Sequence, residues 1–194
     1  MSILSDNQIR IRAEAGMISP YRNELVRQTT DNVKRISFGP SSYGYDVQLA
    51  DECKVFCNNT GKIIDPKELD EGFLYVPEIL DEGKGRYVIL PPNTYMLGRT
   101  VEYFKLPRNI LVICLGKSTY ARAGLQVNVT PLEPEFEGNI VIELANSTNS
   151  PMKVYVGEGI AQFLFFEGDE ECEVSYKDRG GKYQGQTGIT LPRV

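Results

Sequence analysis

From about Val33 onward the chain is a series of short apolar, β-branched and aromatic runs broken every few residues by Gly, Pro, Asn or Asp. This punctuation limits the fold more than any other feature, because runs of four to seven residues are strand-length and too short for helices. Candidate strands cover 45–49, 53–56, 87–90, 94–100, 110–115, 126–130, 139–145, 152–156 and 161–166. Many short strands at this spacing predict an all-β sandwich, jelly roll or barrel. One helix start is legible before the series. Ser5-Asp6-Asn7-Gln8 has the capping-box pattern, and Gly16 is a natural stop. No repeat or low-complexity tract divides the chain, so residues 1–194 are expected to form a single domain.

Function is narrowed first by exclusion. The chain has no histidine, so triads, Cys-His pairs and H-E-x-x-H zinc helices are ruled out, and acid-base work falls to carboxylates, Lys, Tyr or Cys. With 21 basic and 26 acidic residues the net charge is −5, which disfavours a broad grip on nucleic acid. The N-terminus lacks a basic segment followed by an apolar one, and no apolar run reaches membrane-span length, so a cytoplasmic protein with no membrane partner is expected. Cys53, Cys57, Cys114 and Cys172 are scattered. Only the first two have a spacing zinc could use, and free thiols are the expectation.

Two segments break the β rhythm. Gly116-Lys117-Ser118-Thr119 ends like a phosphate-binding loop, but Leu111 stands where that loop needs its first Gly. The following Tyr120, Ala121, Arg122 and Ala123 read as a helical turn, with Ser118 and Arg122 on one face. The same pattern fits a capped surface turn with a solvated Arg. The other break is the polar, Gly-rich tail, in which Tyr176, Lys182, Tyr183 and Gln186 could serve phosphate and base recognition. Residues 172–194 are expected to act as a lid; the bland reading is a disordered terminus.

The strand 139–145 carries the sharpest candidate. Alternation puts Ile140, Ile142 and Leu144 on one face, and Glu143 with Val141 and Ala145 on the other. A carboxylate flanked by apolar groups is partly desolvated, which raises its pKa and suits it to proton shuttling. A strand Glu that faces solvent or pairs with an Arg has the same pattern. Just upstream, Glu133, Glu135 and Glu137 crowd one turn, as a metal site or a solubilising loop would.

Together, Gly116 through Arg122, Val129-Thr130-Pro131-Leu132-Glu133-Pro134-Glu135-Phe136-Glu137-Gly138, Val141-Ile142-Glu143, Gly159-Ile160-Ala161-Gln162, and Val174-Ser175-Tyr176 with Gly181 through Gln186 resemble the dCTP deaminase family, within the trimeric dUTPase-like superfamily. Ser42 through Asp46 and Ile89 through Asn93 are similar as well. The resemblance spans nearly the whole chain, in order.

It implies a mainly β, distorted antiparallel barrel or jelly roll with an N-terminal helix and a short helix after Gly116. The implied activity is zinc-free hydrolysis of dCTP to dUTP and ammonia, supplying dUTP for thymidylate synthesis. Glu143 would be general base and acid, with Ser118 and Arg122 positioning water and countering negative charge. Substrate contacts would fall to Lys117, Ser118, Thr119, Tyr120, Ala121, Arg122, Val141, Ile142, Glu143, Gln162, Tyr176, Lys182 and Gln186. Lys117 would lie near the triphosphate, and the backbone of Val141 and Ile142 at the cytosine edge. Mg2+ would be carried by the triphosphate, with no metal ligand from the protein. The assembly would be a homotrimer with sites between subunits, and dTTP is a further ligand to consider, as inhibitor. Some relatives have an Asp in the hairpin and also convert dUTP to dUMP. Here the acid is Glu133 in a differently spaced loop, and the tail lacks the Phe-containing closing segment of dedicated dUTPases. Deamination alone is therefore the expectation, ahead of a bifunctional enzyme, a plain dUTP diphosphatase or a nucleotide-binding regulatory module.

Overall fold

The computed structural model describes residues 1–30, 32–57 and 61–194. Strand β1 (Ser2–Ile3) leads into helix α1 (Asp6–Glu14), followed by β2 (Ile18–Ser19), β3 (Val26–Gln28), β4 (Lys34–Ser41) and β5 (Gly44–Phe56). Two short strands, β6 (Leu74–Tyr75) and β7 (Leu80–Asp81), precede β8 (Arg86–Leu90), β9 (Tyr95–Lys105) and β10 (Ile110–Gly116). A one-turn helix α2 (Ser118–Ala121) then separates β10 from β11 (Leu125–Asn128), β12 (Glu137–Asn146), β13 (Met152–Tyr155) and β14 (Gly159–Glu167).

The main sheet runs β1-β14-β5-β9-β12-β11, with β10 also on β14 and β4 also on β5. Its strands pair antiparallel. A second sheet of β13, β8 and β7 packs beside it. The curl of the main sheet comes from β5. Its first half pairs with β14 up to Gln48, it pairs with β9 from Leu49 onward, and the register of that second pairing slips between Leu49 and Cys53. Such an irregularity bends a strand and increases its twist, which lets one strand serve two layers. The result is a curled half-barrel around Tyr45, Val47, Leu49, Met96, Phe104, Ile142, Leu144, Phe163 and Phe165, all fully buried.

Each predicted strand has a counterpart; the short β1, β2, β3, β6 and β7 lie outside the predicted series, and two larger differences stand beside them. The runs 45–49 and 53–56 are one strand, which the charged Asp51 and Glu52 divide in the sequence. The eight-residue β4 was not predicted, because Gly39 and Pro40 read as turn residues. Gly39 has φ +108, and a side chain there would lie 2.5 Å from the Glu24 carbonyl oxygen. Helix α1 starts as its sequence predicts: the Ser5 N–H donates to Gln8 Oε1 at 3.0 Å. It stops at Gly16, whose φ of +101 favours glycine.

Candidate active site

In β12 the predicted alternation is realised. Ile140, Ile142 and Leu144 are buried in the core, while Val141, Glu143 and Ala145 are half-buried on the other face. Glu143 stands opposite Asn128 of β11 and Leu97 of β9. Burial pushes its carboxyl up to about 7, partly offset by a hydrogen bond from its own backbone. Tyr95 is close by: its phenol is raised by burial and then by the Glu143 carboxylate, and it shares a hydrogen bond with the Asn128 side chain.

Glu143 lines a cleft of about 340 Å³. One wall is the sheet, with Tyr95, Leu97, Ile140 and Val141; a second is the loop before β12, with Thr130, Leu132, Glu133 and Phe136. The third is the tail, which supplies Tyr176, Tyr183, Gln186, Thr190 and Pro192. The carboxylate therefore sits among mostly apolar side chains with a few phenol, hydroxyl and amide groups and the Glu133 carboxylate, a setting in which a proton can be held near neutral pH.

The tail is tied down along its length. Arg108 donates to the carbonyls of Cys172 (3.1 Å) and Glu173 (2.8 Å), and pairs with Glu135 (2.7 Å) and Asp178 (2.6 Å). Tyr176 N–H donates to the Pro134 carbonyl at 3.1 Å, and its hydroxyl accepts from Tyr183 N–H at 3.0 Å. Ile189 N–H donates at 2.9 Å to Glu52, which also pairs with Arg99 at 2.6 Å. The Gln186 Nε2 donates to the Asn139 carbonyl at 2.8 Å, leaving its buried Oε1 without a hydrogen-bond partner. The ladder with β11 ends at Glu143, and the tail pairs at Gly138 and Asn139. Neither borders the outer edge of β12 at Val141.

The sequence-predicted residues fall into two groups. Val141, Glu143, Tyr176 and Gln186 meet in the cleft, whereas Ile142 is outside its lining, with its side chain in the core. Among the described residues, neither 117–122 nor Gln162 lines that cleft. Ser118, Thr119, Ala121 and Arg122 are exposed on and after α2, whereas Tyr120 is buried and its hydroxyl accepts from Tyr155 N–H at 2.8 Å. Lys117 turns inward to the Asp46 carboxylate and Ser37. Gln162 donates to Ser41 Oγ at 3.1 Å. Lys182 is exposed and donates to the Arg193 carbonyl at 3.1 Å, outside the cleft lining. The three hairpin acids diverge to separate cations: Glu133 to Arg179, Glu135 to Arg108 and Glu137 to Lys105. Among the described residues no group of three or more Asp, Glu or Cys side chains is placed to hold a metal, and no helix is long and apolar enough to cross a membrane. Tyr95, Asn128 and Thr130 were not anticipated. Pairing register sets Asn128 opposite Glu143 and Tyr95 opposite Ala145, while Thr130 lines the same cleft from beyond the end of β11.

Residues 3–168 match the family model described as dCTP deaminase-like. The chain is 58% identical to the dCTP deaminase of Laribacter hongkongensis over 194 residues, covering all of both chains. It is likewise 58% identical to that of Bordetella pertussis over 194 residues, and 56% identical to that of Acinetobacter baylyi over 196, again covering both chains fully. Among solved structures it is similar in fold to the 2′-deoxycytidine 5′-triphosphate deaminase of Agrobacterium tumefaciens, with a TM-score of 0.61 at 16% identity. That match covers 86% of this chain and 46% of the other, so the chain spans about half the length of that protein.

Proposed function

The chain belongs to the dCTP deaminase family, and from that premise we propose that it hydrolyses dCTP to dUTP and ammonia in the cytoplasm, with Glu143 as the proton shuttle. The observation that carries this is the Glu143 carboxyl itself, pushed up to about 7 by burial in a mostly apolar cleft. A group with that affinity is able both to take a proton and to return it near neutral pH.

Glu143 removes a proton from water as the oxygen bonds to C4 of the cytosine ring, and delivers it to ring nitrogen N3. The tetrahedral carbon then bears a hydroxyl and the amino group. Glu143 takes the hydroxyl proton and passes it to the amino nitrogen, the C4–N bond breaks, ammonia leaves and C4 becomes the uracil carbonyl. One water is consumed for each ammonia released. The open edge of β12 at Val141 is suited to pairing with the base, and the unpartnered Gln186 Oε1 is an acceptor for a donor on the ligand. Ser118 and Arg122 would hold the water and balance negative charge; each well-placed donor of this kind is worth about 3 kcal/mol.

Because those two residues lie outside the cleft of their own chain, they would reach substrate from a neighbouring copy in a homotrimer. An apolar surface strip supports such an assembly. Ile113 and Leu115 on β10 are 37% and 48% exposed, and lie in register with β14, where Leu164 opposite Ile113 is only half-buried. Magnesium would arrive on the triphosphate, held by phosphate oxygens and water, as suits an ion that keeps most of its hydration. With no imidazole and scattered thiols, zinc has no plausible ligand set, and the reaction is assigned without it.

Incubation with dCTP and Mg2+, followed by nucleotide chromatography and an ammonia assay, is expected to give equal amounts of dUTP and ammonia and no dUMP. Absence of ammonia at high enzyme concentration sinks the reading, and dUMP with pyrophosphate reveals the bifunctional alternative.

A further inference from the structure

The turn between β9 and β10 carries a cation with four partners. Ile110 N–H donates to the Pro107 carbonyl at 3.1 Å and closes that turn, so Arg108 projects from a rigid mount. Its side chain is not part of the cleft lining. One guanidinium nitrogen, Nη2, donates both to the Glu173 carbonyl at 2.8 Å and to the Asp178 carboxylate at 2.6 Å. The stretch 173–178 is thereby drawn into a loop whose ends meet at a single atom, with Tyr176 inside it. The other two nitrogens reach the Cys172 carbonyl at 3.1 Å and the Glu135 carboxylate at 2.7 Å.

We propose that Arg108 is a positioning residue for the reaction: it joins Tyr176 to the turn 134–136 before substrate arrives, so that dCTP meets a cleft already closed on its tail side. The proposal rests on the deaminase reading above.

Its first support is geometric. Tyr176 N–H donates to the Pro134 carbonyl at 3.1 Å, and the Tyr176 ring lies 5.7 Å from that of Phe136, both rings lining the cleft. Between Pro134 and Phe136 stands Glu135, whose φ of +62 is a left-handed conformation that a residue other than Gly keeps only where its surroundings hold it. Arg108 holds the Glu135 carboxylate, and Gln184 Nε2 of the tail donates to its carbonyl at 3.0 Å. Two of the three walls therefore share one cation. The second support is chemical. Glu173, Val174 and Lys177 are exposed, so this part of the tail gains little from burial and depends on polar ties. A lone surface ion pair contributes little, but a planar guanidinium serving four acceptors from a fixed mount is a network, which an ammonium cannot reproduce.

The test separates binding from turnover. If loss of the cation leaves the tail closed in only about one molecule in thirty, apparent affinity falls by that factor, while bound substrate restores the closed form. Arg108→Met is thus expected to raise KM for dCTP about 30-fold and to keep kcat at saturation within about threefold of the parent. Asp178→Ala should act in the same direction, and the double variant should be no worse than Arg108→Met alone, since both changes open one joint. On the Glu143→Gln chain, Arg108→Met should speed tryptic cleavage after Arg179 or Lys182 without nucleotide, and saturating Mg-dCTP should bring cleavage back to the rate without the substitution. Parental KM in Arg108→Met overturns the proposal, as does a fall in kcat of about tenfold or more at unchanged KM, which would put Arg108 in the chemical step. Independent, multiplying effects of the two substitutions overturn it as well. If Arg108→Met fails to fold, Asp178→Ala, at a position 41% exposed, is measured by the same KM, kcat and cleavage criteria. A parental chain that releases no ammonia from dCTP overturns the deaminase reading, whereas an active parent beside an unaltered Arg108 variant overturns this proposal alone.

Discussion

Gln186 and Asn139 hold one another twice: the Asn139 N–H donates to the Gln186 carbonyl at 2.8 Å, and the Gln186 side-chain amide donates to the Asn139 carbonyl at 2.8 Å. Asn139 is itself fixed from behind, since its Nδ2 reaches the carbonyls of Thr100 (3.2 Å) and Glu102 (3.0 Å) on β9. The tail wall of the cleft is therefore joined to the strand that carries Glu143.

Gly138 makes that join possible. Its φ is +150, and a side chain there would sit 2.9 Å from the Gln186 carbonyl oxygen. Gly138→Ala should displace the tail at Gln186, costing about 1–3 kcal/mol locally. At least a tenfold drop in kcat/KM for dCTP is expected, together with faster tryptic cleavage after Arg179 or Lys182. Parental cleavage rates would show that the tail is held elsewhere.

Glu143 should impose an acid limb on the pH profile. Its carboxyl is raised to about 7, and only the ionised form accepts a proton from water. Thus kcat/KM should climb with pH up to about 7 and level off above it. Glu143→Gln keeps the shape without the proton chemistry, and should lose at least about 10²-fold in kcat. A limb centred near the ordinary carboxylate value would refute the burial argument.

Glu102 should be visible in stability and not in turnover. It is fully buried and receives the Gln48 N–H at 3.0 Å, and burial pushes it up to about 7 from 4.5. A carboxyl that binds its proton more tightly when folded contributes stability in full below about 4.5, and that contribution is lost as pH rises through about 7. Glu102→Gln removes this titration. Between pH 4.5 and 8 the parent should lose about 3 kcal/mol more than the variant, read by urea unfolding at each pH. Parallel curves would mean that Glu102 does not titrate in this range.

Metal removal should discriminate between two ions. A zinc-selective chelator is expected to leave ammonia release unchanged, while EDTA stops it and added Mg2+ restores it. Recovery with Zn2+ but not Mg2+ would contradict the assignment.

Much of this was legible before the fold was known, where local period decides the outcome. The alternation through Ile140, Ile142 and Leu144 fixed which face Glu143 would take, and Ser5 with Gln8 marked the start of α1. What local pattern could not supply is register. Tyr95 and Asn128 meet Glu143 only because β9 and β11 pair on either side of β12. Glu102 lies just past the predicted end of its strand, and nothing in Val101-Glu102-Tyr103 signals complete burial. The inward direction of Lys117 depends on Asp46, 71 residues earlier in the chain.

The separation of Glu143 from Ser118 and Arg122 also bears on heredity. If working sites draw on two copies, a chain lacking the carboxylate and a chain lacking the arginine are each inert alone. Mixed in one assembly, they regenerate some intact sites. Two recessive lesions in different parts of the gene would then mask one another, while two in the same part would not, so a cross between mutants could reveal how the site is divided.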